Sequence, residues 1–164
     1  MVFSERKTIS LGLYLILLVI ACVIYITPIP GAPNIRIDAI ALLILYVNFY
    51  RPVGWSLGLG FCTGLLQDLV AFAPLGQHAL GLVCICFIAP WIRDSLRMLT
   101  PLKQLPLVVS MLLFLKFLFS WVTALNLGLL PNLNAVWAVL LTAAFWPILV
   151  GVFESSPKIR RATT

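Results

Sequence analysis

Apolar residues run along this chain in six long stretches, at about 9–28, 35–50, 53–72, 76–92, 104–126 and 134–153. None alternates with a period of two, and none carries the broad polar stripe of a helix lying on a water-soluble core. A helix that is apolar all round belongs in an apolar surround. Most of the stretches approach the roughly twenty residues that a helix needs to cross a hydrocarbon core about 30 Å thick. The second is the shortest and requires tilt or a thin bilayer. Turn residues separate the stretches: Thr27-Pro28-Ile29-Pro30-Gly31, Arg51-Pro52 with Gly54, Pro74-Leu75-Gly76, Pro101 with Pro106 soon after, and Pro131 with Asn132 and Asn134. The pattern predicts an all-α, polytopic membrane helix bundle of six transmembrane helices, with residues 1–164 forming a single transmembrane domain. The connections are short, and no soluble domain, linker or repeat is visible.

Composition agrees. Hydrophobic residues make up 62% of the chain and charged residues 10%, against roughly a quarter charged in a soluble domain. The net charge of +6 does not indicate nucleic acid, because the basic residues sit in short gaps between apolar runs and not on one face. Their distribution instead orients the chain. With both termini in the cytoplasm, nine of the eleven basic residues fall inside: Arg6, Lys7, Arg51, Arg93, Arg97, Lys103, Lys158, Arg160 and Arg161. Arg36 falls outside and Lys116 within a span. Two basic tails favour an even number of spans. The first run exceeds the roughly 7–15 residues of a signal-peptide core and lacks a small-x-small cleavage site, so it reads as a retained span. Cys22, Cys62, Cys84 and Cys86 lie inside apolar stretches without metal-site spacing and read as small packing residues.

Little points to catalysis. His78 is the only histidine, and the five acids, Glu5, Asp38, Asp68, Asp94 and Glu154, form no paired-carboxylate motif. No phosphate-binding loop or metal cluster is present, so no catalytic residue, cofactor or metal is expected. Two ionisable residues lie at membrane depth. Lys116 is near the middle of the fifth span, and Asp68 near the outer end of the third. They read as a polar pocket, or as a structural pair with one another, or Lys116 as a snorkelling side chain. Gly54 with Gly58, and Gly60 with Gly64, form two small-xxx-small pairs on different faces of the third span, which predicts a central helix packed on more than one side. Most of Trp55, Trp91, Trp121, Trp137 and Trp146 lie towards span ends, as interfacial anchors do.

The run Gly58-Leu-Gly60-Phe61-Cys-Thr-Gly64-Leu65-Leu-Gln-Asp68-Leu69, followed by Leu75-Gly76-Gln-His78-Ala79-Leu80, resembles the signature of the MreD family of bacterial rod shape-determining membrane proteins. Pro33-Asn34 before the second span, Trp146-Pro147 in the last and a short basic tail agree with it. The likeness covers nearly the whole chain, and its specific part is residues 58–80. It implies a fold resembling the substrate-binding component of energy-coupling-factor transporters. It also implies a non-catalytic adaptor of the rod complex (the elongasome) in the inner membrane, binding MreC beside MreB, RodA and a class B penicillin-binding protein, and supporting lateral peptidoglycan synthesis and cell shape. Asp68 and Gly76, with Gly60 and Gly64, match its motif positions; Lys116 matches none. Its partner helices would dock on lipid-facing surfaces, and the basic 93–103 loop would meet MreB or anionic membrane lipid. A small-molecule-binding subunit of a vitamin-type transporter is the rival reading. The Ala-xxx-Ala pair such subunits carry in the first span is missing here, where Ala21 stands alone. A pocket near Asp68 and His78 would suit either reading, and a channel would need a more polar path.

Overall fold

The computed structural model describes residues 11–27, 36–50, 56–127 and 134–155. Its regular structure among these residues is all helix: α1 (Leu11–Ile26), α2 (Ala39–Tyr50), α3 (Ser56–Ala71), α4 (Gln77–Arg97), α5 (Pro101–Leu127), α6 (Asn134–Ala144) and α7 (Trp146–Ser155). Helix α4, most of α5 and the α6–α7 rod are long and apolar enough to cross a membrane; α1, α2 and α3 are shorter apolar helices. The chain is thus a helical membrane bundle. Gly54 lies outside the described residues.

The sixth apolar stretch is one broken rod. Phe145 interrupts it, and the cause is Pro147. Its ring blocks the bond to the carbonyl four residues back and disfavours helical geometry at Trp146. The ladder narrows to Phe145 N–H donating to Thr142 O at 3.2 Å and resumes with Leu149 N–H to Phe145 O at 2.9 Å. Pro101 opens α5, where a missing N–H costs nothing.

The central helix is α2, not α3. Every residue from Ile40 to Phe49 is buried, and α1, α3, α4 and α6 all touch it. Its twelve residues span about 18 Å. Protein surrounds a helix so placed on every side, so its length need not match the hydrocarbon thickness. Helix α3 instead presents Leu57, Gly58, Phe61, Cys62, Leu66 and Leu69 outwards.

The other face of α3 lies against α4, the most extensive pairing in the bundle. Glycine makes that approach possible. A Cβ on Gly64 would fall on the backbone of Ala79, and one on Gly60 would stand 2.6 Å from Cys86 Sγ and 3.3 Å from the Leu82 carbonyl. At Gly58 an added Cβ meets nothing within 4 Å. The two glycine pairs therefore divide: Gly60 and Gly64 build the bundle, while Gly58 faces outwards.

We expect Gly64→Leu to remove about 3 kcal/mol or more of stability, because the obstacle is backbone and cannot move aside. Gly58→Leu should leave the melting temperature in detergent within a few degrees of wild type. Equal melting temperatures for the two variants would refute this division.

Candidate functional site

The turn from α3 to α4 is held by one side chain. Asp68, in the last turn of α3, is 1% exposed. Its Oδ2 accepts from the backbone N–H of Gly76 at 2.7 Å. Its Oδ1 accepts from the backbone N–H of His78 at 2.8 Å and lies 2.7 Å from His78 Nδ1. These amides belong to the first turn of α4, where N–H groups lack helical partners and negative charge is favoured. Asp68 thus caps α4 across the turn. Gly76 has φ +94°, a left-handed conformation that glycine adopts at little cost. Phe72 ends α3 with φ +52° at a cost of about 1 kcal/mol, and Ala73 N–H returns to the Asp68 carbonyl at 3.0 Å. Every glycine and acid of the 60–79 motif is accounted for by this hairpin: Gly60, Gly64 and Ala79 let the helices close, Gly76 turns the chain, and Asp68 locks it.

Lys116 pairs with Asp38, not with Asp68. Its Nζ lies 2.9 Å from Asp38 Oδ2. Asp38 stands immediately before α2 and is 1% exposed. Its Oδ1 accepts from Gln67 Nε2 at 2.9 Å. Its backbone N–H donates to Thr142 Oγ1 at 3.1 Å, and that hydroxyl donates to Ala138 O at 2.7 Å. Asp38 thereby joins α2, α3, α5 and α6, the first three through its carboxylate and position and the last through its backbone N–H. The expected partnership does not form: Asp68 is engaged by the α4 amides and His78, and the Lys116 ammonium lies at Asp38 instead. Asp38 is not among the residues that the sequence singles out as a site, although an aspartate directly before an apolar helix is a helix-start signal.

The two carboxylates belong to one cluster. Phe119 links them: its ring centroid lies 4.2 Å from that of His78 and 5.5 Å from Lys116 Nζ. Tyr25 of α1 stands within electrostatic reach of Asp38 and Lys116. Gln67 is fully buried, and its Oε1 meets no hydrogen-bond partner among the described residues. Asp68 and His78, beside which a pocket is expected, are bonded to each other and to the amides that open α4.

A second polar layer, equally unforeseen from the sequence, lies at the opposite end of the bundle. Gln104, fully buried, takes Trp146 Nε1–H on its Oε1 at 2.9 Å and sits 2.9 Å from the Tyr50 hydroxyl. Its Nε2 donates to Leu99 O at 3.0 Å and Leu96 O at 3.1 Å. Arg97 donates to Tyr50 O at 2.7 Å and stands 5.9 Å from that ring's centroid. Between the layers, Tyr14 and Thr63 hydroxyls bond at 2.6 Å, and Asn48 Nδ2 reaches Cys86 Sγ at 3.3 Å. No group of three or more His, Cys, Asp and Glu side chains among the described residues is placed to hold a metal.

The family model described as rod shape-determining protein MreD matches residues 5–155. Comparison with curated proteins and with solved structures finds no match.

Lys116→Met would leave Asp38 charged and buried, and we expect it to cost about 3 kcal/mol, the lower part of the range for breaking a buried pair because Lys116 is partly exposed. Adding Asp38→Asn should recover at least about 1 kcal/mol of that loss. A double-mutant cycle by thermal or denaturant unfolding in detergent measures the coupling. Strict additivity would show that the pair does not exist.

Proposed function

This chain belongs to the MreD family of rod shape-determining proteins, and from that premise we propose that it is a non-catalytic membrane adaptor of the rod complex, binding MreC and supporting lateral peptidoglycan synthesis. The family supplies a role in rod shape determination. One observation carries the adaptor reading: the motif residues are spent on the α3–α4 hairpin, and the membrane-depth charges are paired with one another. Among the described residues, the charged groups of the interior are already engaged and offer little with which to grip a solute. What the molecule offers instead is helix surface. The outward face of α1 carries Leu15, Ile16, Val19, Ile20 and Val23, and that of α3 carries Gly58, Phe61 and Cys62, all exposed. A single MreC span packs best where small residues let backbones approach, which favours the α3 face around Gly58 over Gly60 and Gly64, whose space α4 already fills. MreB, RodA and a class B penicillin-binding protein are the further partners of this reading.

The same interior disfavours a vitamin-type transporter subunit, whose ligand would need the polar groups that Asp38, Asp68, His78 and Lys116 give to each other. The likeness to energy-coupling-factor substrate-binding components rests on the family resemblance alone. In the orientation we propose, both termini are cytoplasmic and the Asp38–Asp68 cluster lies in the outer half of the inner membrane.

Co-purification with the cognate MreC in mild detergent tests the adaptor. We expect a stable complex that Gly58→Trp or Cys62→Trp weakens while the melting temperature holds. A complex indifferent to both substitutions would move the interface elsewhere, and failure to form one would sink the adaptor reading. In a cysteine-free background, a cysteine at Asn132 should label from outside intact cells and one at Ser156 only after permeabilisation. The reverse pattern would invert the orientation.

A further inference from the structure

Helices α4 and α5 touch closely at two levels and stand apart between them. At one level Gly81 admits Leu115 and Phe119, whose nearest atoms would lie 2.7 Å from an added Cβ. At the other, Gln104 ties the start of α5 to the carbonyls of Leu96 and Leu99. Between the two ties lies a lateral groove of about 270 Å³, lined by Ile85, Ile88, Ile92, Leu107, Met111 and Phe114, with Ser110 at its rim. The lining is almost wholly apolar. Ser110 donates its hydroxyl to Leu107 O, which removes the one polar group from play.

The groove opens sideways, towards the surface that the bundle presents to hydrocarbon, where Ile88 and Phe114 are 38% and 41% exposed. Its volume lies just below the roughly 300–1,000 Å³ of sites that enclose compact ligands. That volume is also too small to seat another helix, which with its side chains is about 10–12 Å across. An alkyl chain fits both limits.

The residues beyond the Gln104 end make the groove selective. Lys103 is one helical turn before Leu107 on the same face of α5, so the stripe reads Lys103, Leu107, Ser110, Phe114. Ser95 follows Ile92 by three residues on the groove face of α4. Both are exposed. Neither stripe holds a carboxylate. Asp94 turns to the far side of α4, where it stands 3.5 Å from Arg93 Nε. By helical phase, Lys103 and Ser95 stand one turn beyond the lining residues, so an ammonium and a hydroxyl follow the apolar trough and complement a chain that ends in a phosphate. Basic pockets between membrane helices commonly hold anionic headgroups.

We propose that the α4–α5 groove is a lipid site that holds one acyl chain of an anionic phospholipid, with its phosphate at Lys103 and Ser95. Part of the α4–α5 surface is then permanently dressed in lipid, and protein partners must dock on other faces. The assignment does not depend on the adaptor reading.

The test uses the full-length protein in nanodiscs of phosphatidylglycerol and phosphatidylcholine in equal parts, released into native mass spectrometry. We expect retained phosphatidylglycerol to exceed phosphatidylcholine by about fivefold, the effect of one lysine near a membrane surface. Lys103→Gln should bring the ratio close to parity while total retained lipid persists. Ser110→Phe, which fills the trough, should reduce retention of both lipids. These side chains face outwards, so unchanged melting temperatures verify folding, and diazirine-tagged phosphatidylglycerol should label the 85–92 and 107–114 peptides. Parity in the wild type, a preference unmoved by Lys103→Gln, or labelling spread evenly over the helices would overturn the site.

Discussion

The Asp68 carboxylate fixes the geometry on which the rest of the bundle depends. It reaches over the α3–α4 turn and takes up backbone amides of Gly76 and His78, donors at a helix start that have no intrahelical partner. An asparagine has one acceptor oxygen where Asp68 uses two, and its amide nitrogen would face a backbone N–H. The motif therefore demands an acid rather than any polar residue of that size. Once the turn is locked, the phase of α3 against α4 is set. Gly60 and Gly64 then meet Cys86 and Ala79, and the helices approach as closely as backbones allow.

That closeness shapes the rest of the core. With α3 and α4 drawn together, the short α2 is enclosed and contributes almost all of its surface to the interior. Its start is pinned by Asp38, whose carboxylate answers Lys116 and Gln67 while its amide answers Thr142. A buried ion pair is weak evidence for net stability, because desolvation offsets much of the attraction. Its effect is specificity. Among the described residues Lys116 has one acid within salt-bridge reach, so helix α5 has one depth and one rotation that satisfy its charge. Gln104 does the same at the opposite end with neutral hydrogen bonds to α4, α2 and α7. Two polar layers separated by apolar packing hold the helices in register.

Most of this architecture is legible in the residues, and the exceptions are physical. Apolar length marks the spans, and proline and glycine mark the turns, because both signals are local. The 58–80 motif is legible as a motif, but its meaning as a helix cap and a close approach needs the third dimension. Pairing is where one-dimensional reasoning fails. Lys116 and Asp68 share a depth, yet depth does not say which helices are neighbours or whether an acid is already engaged. Asp38 escapes attention because it sits at a span's edge, where an acid looks solvated. Gln104 escapes because it follows Lys103 and reads as headgroup-level polarity. The central position falls to α2 and not to the glycine-rich α3, since glycine permits one intimate contact without requiring contact on every side.

A membrane protein whose interior charges, Lys116 with Asp38 and Asp68 with His78, are paired inside the bundle has mainly shape with which to recognise another helix in lipid. In lipid there is no hydrophobic gain on bringing two apolar helices together, so association depends on how closely surfaces fit and on what lipid they displace. The outward faces here differ in that respect. Those of α1 and α5 are studded with bulky branched and aromatic side chains, around which acyl chains pack as well as a helix would. The α3 face has a shallow place at Gly58 with nothing above it, where lipid packs less well than another backbone. A tightly folded interior, locked by Asp68 and Asp38, keeps that shallow place at a fixed position. A helix that docks in lipid, as the adaptor proposal requires, would use such a fixed place. The chemistry spent inside the bundle is thus the condition for recognition outside it.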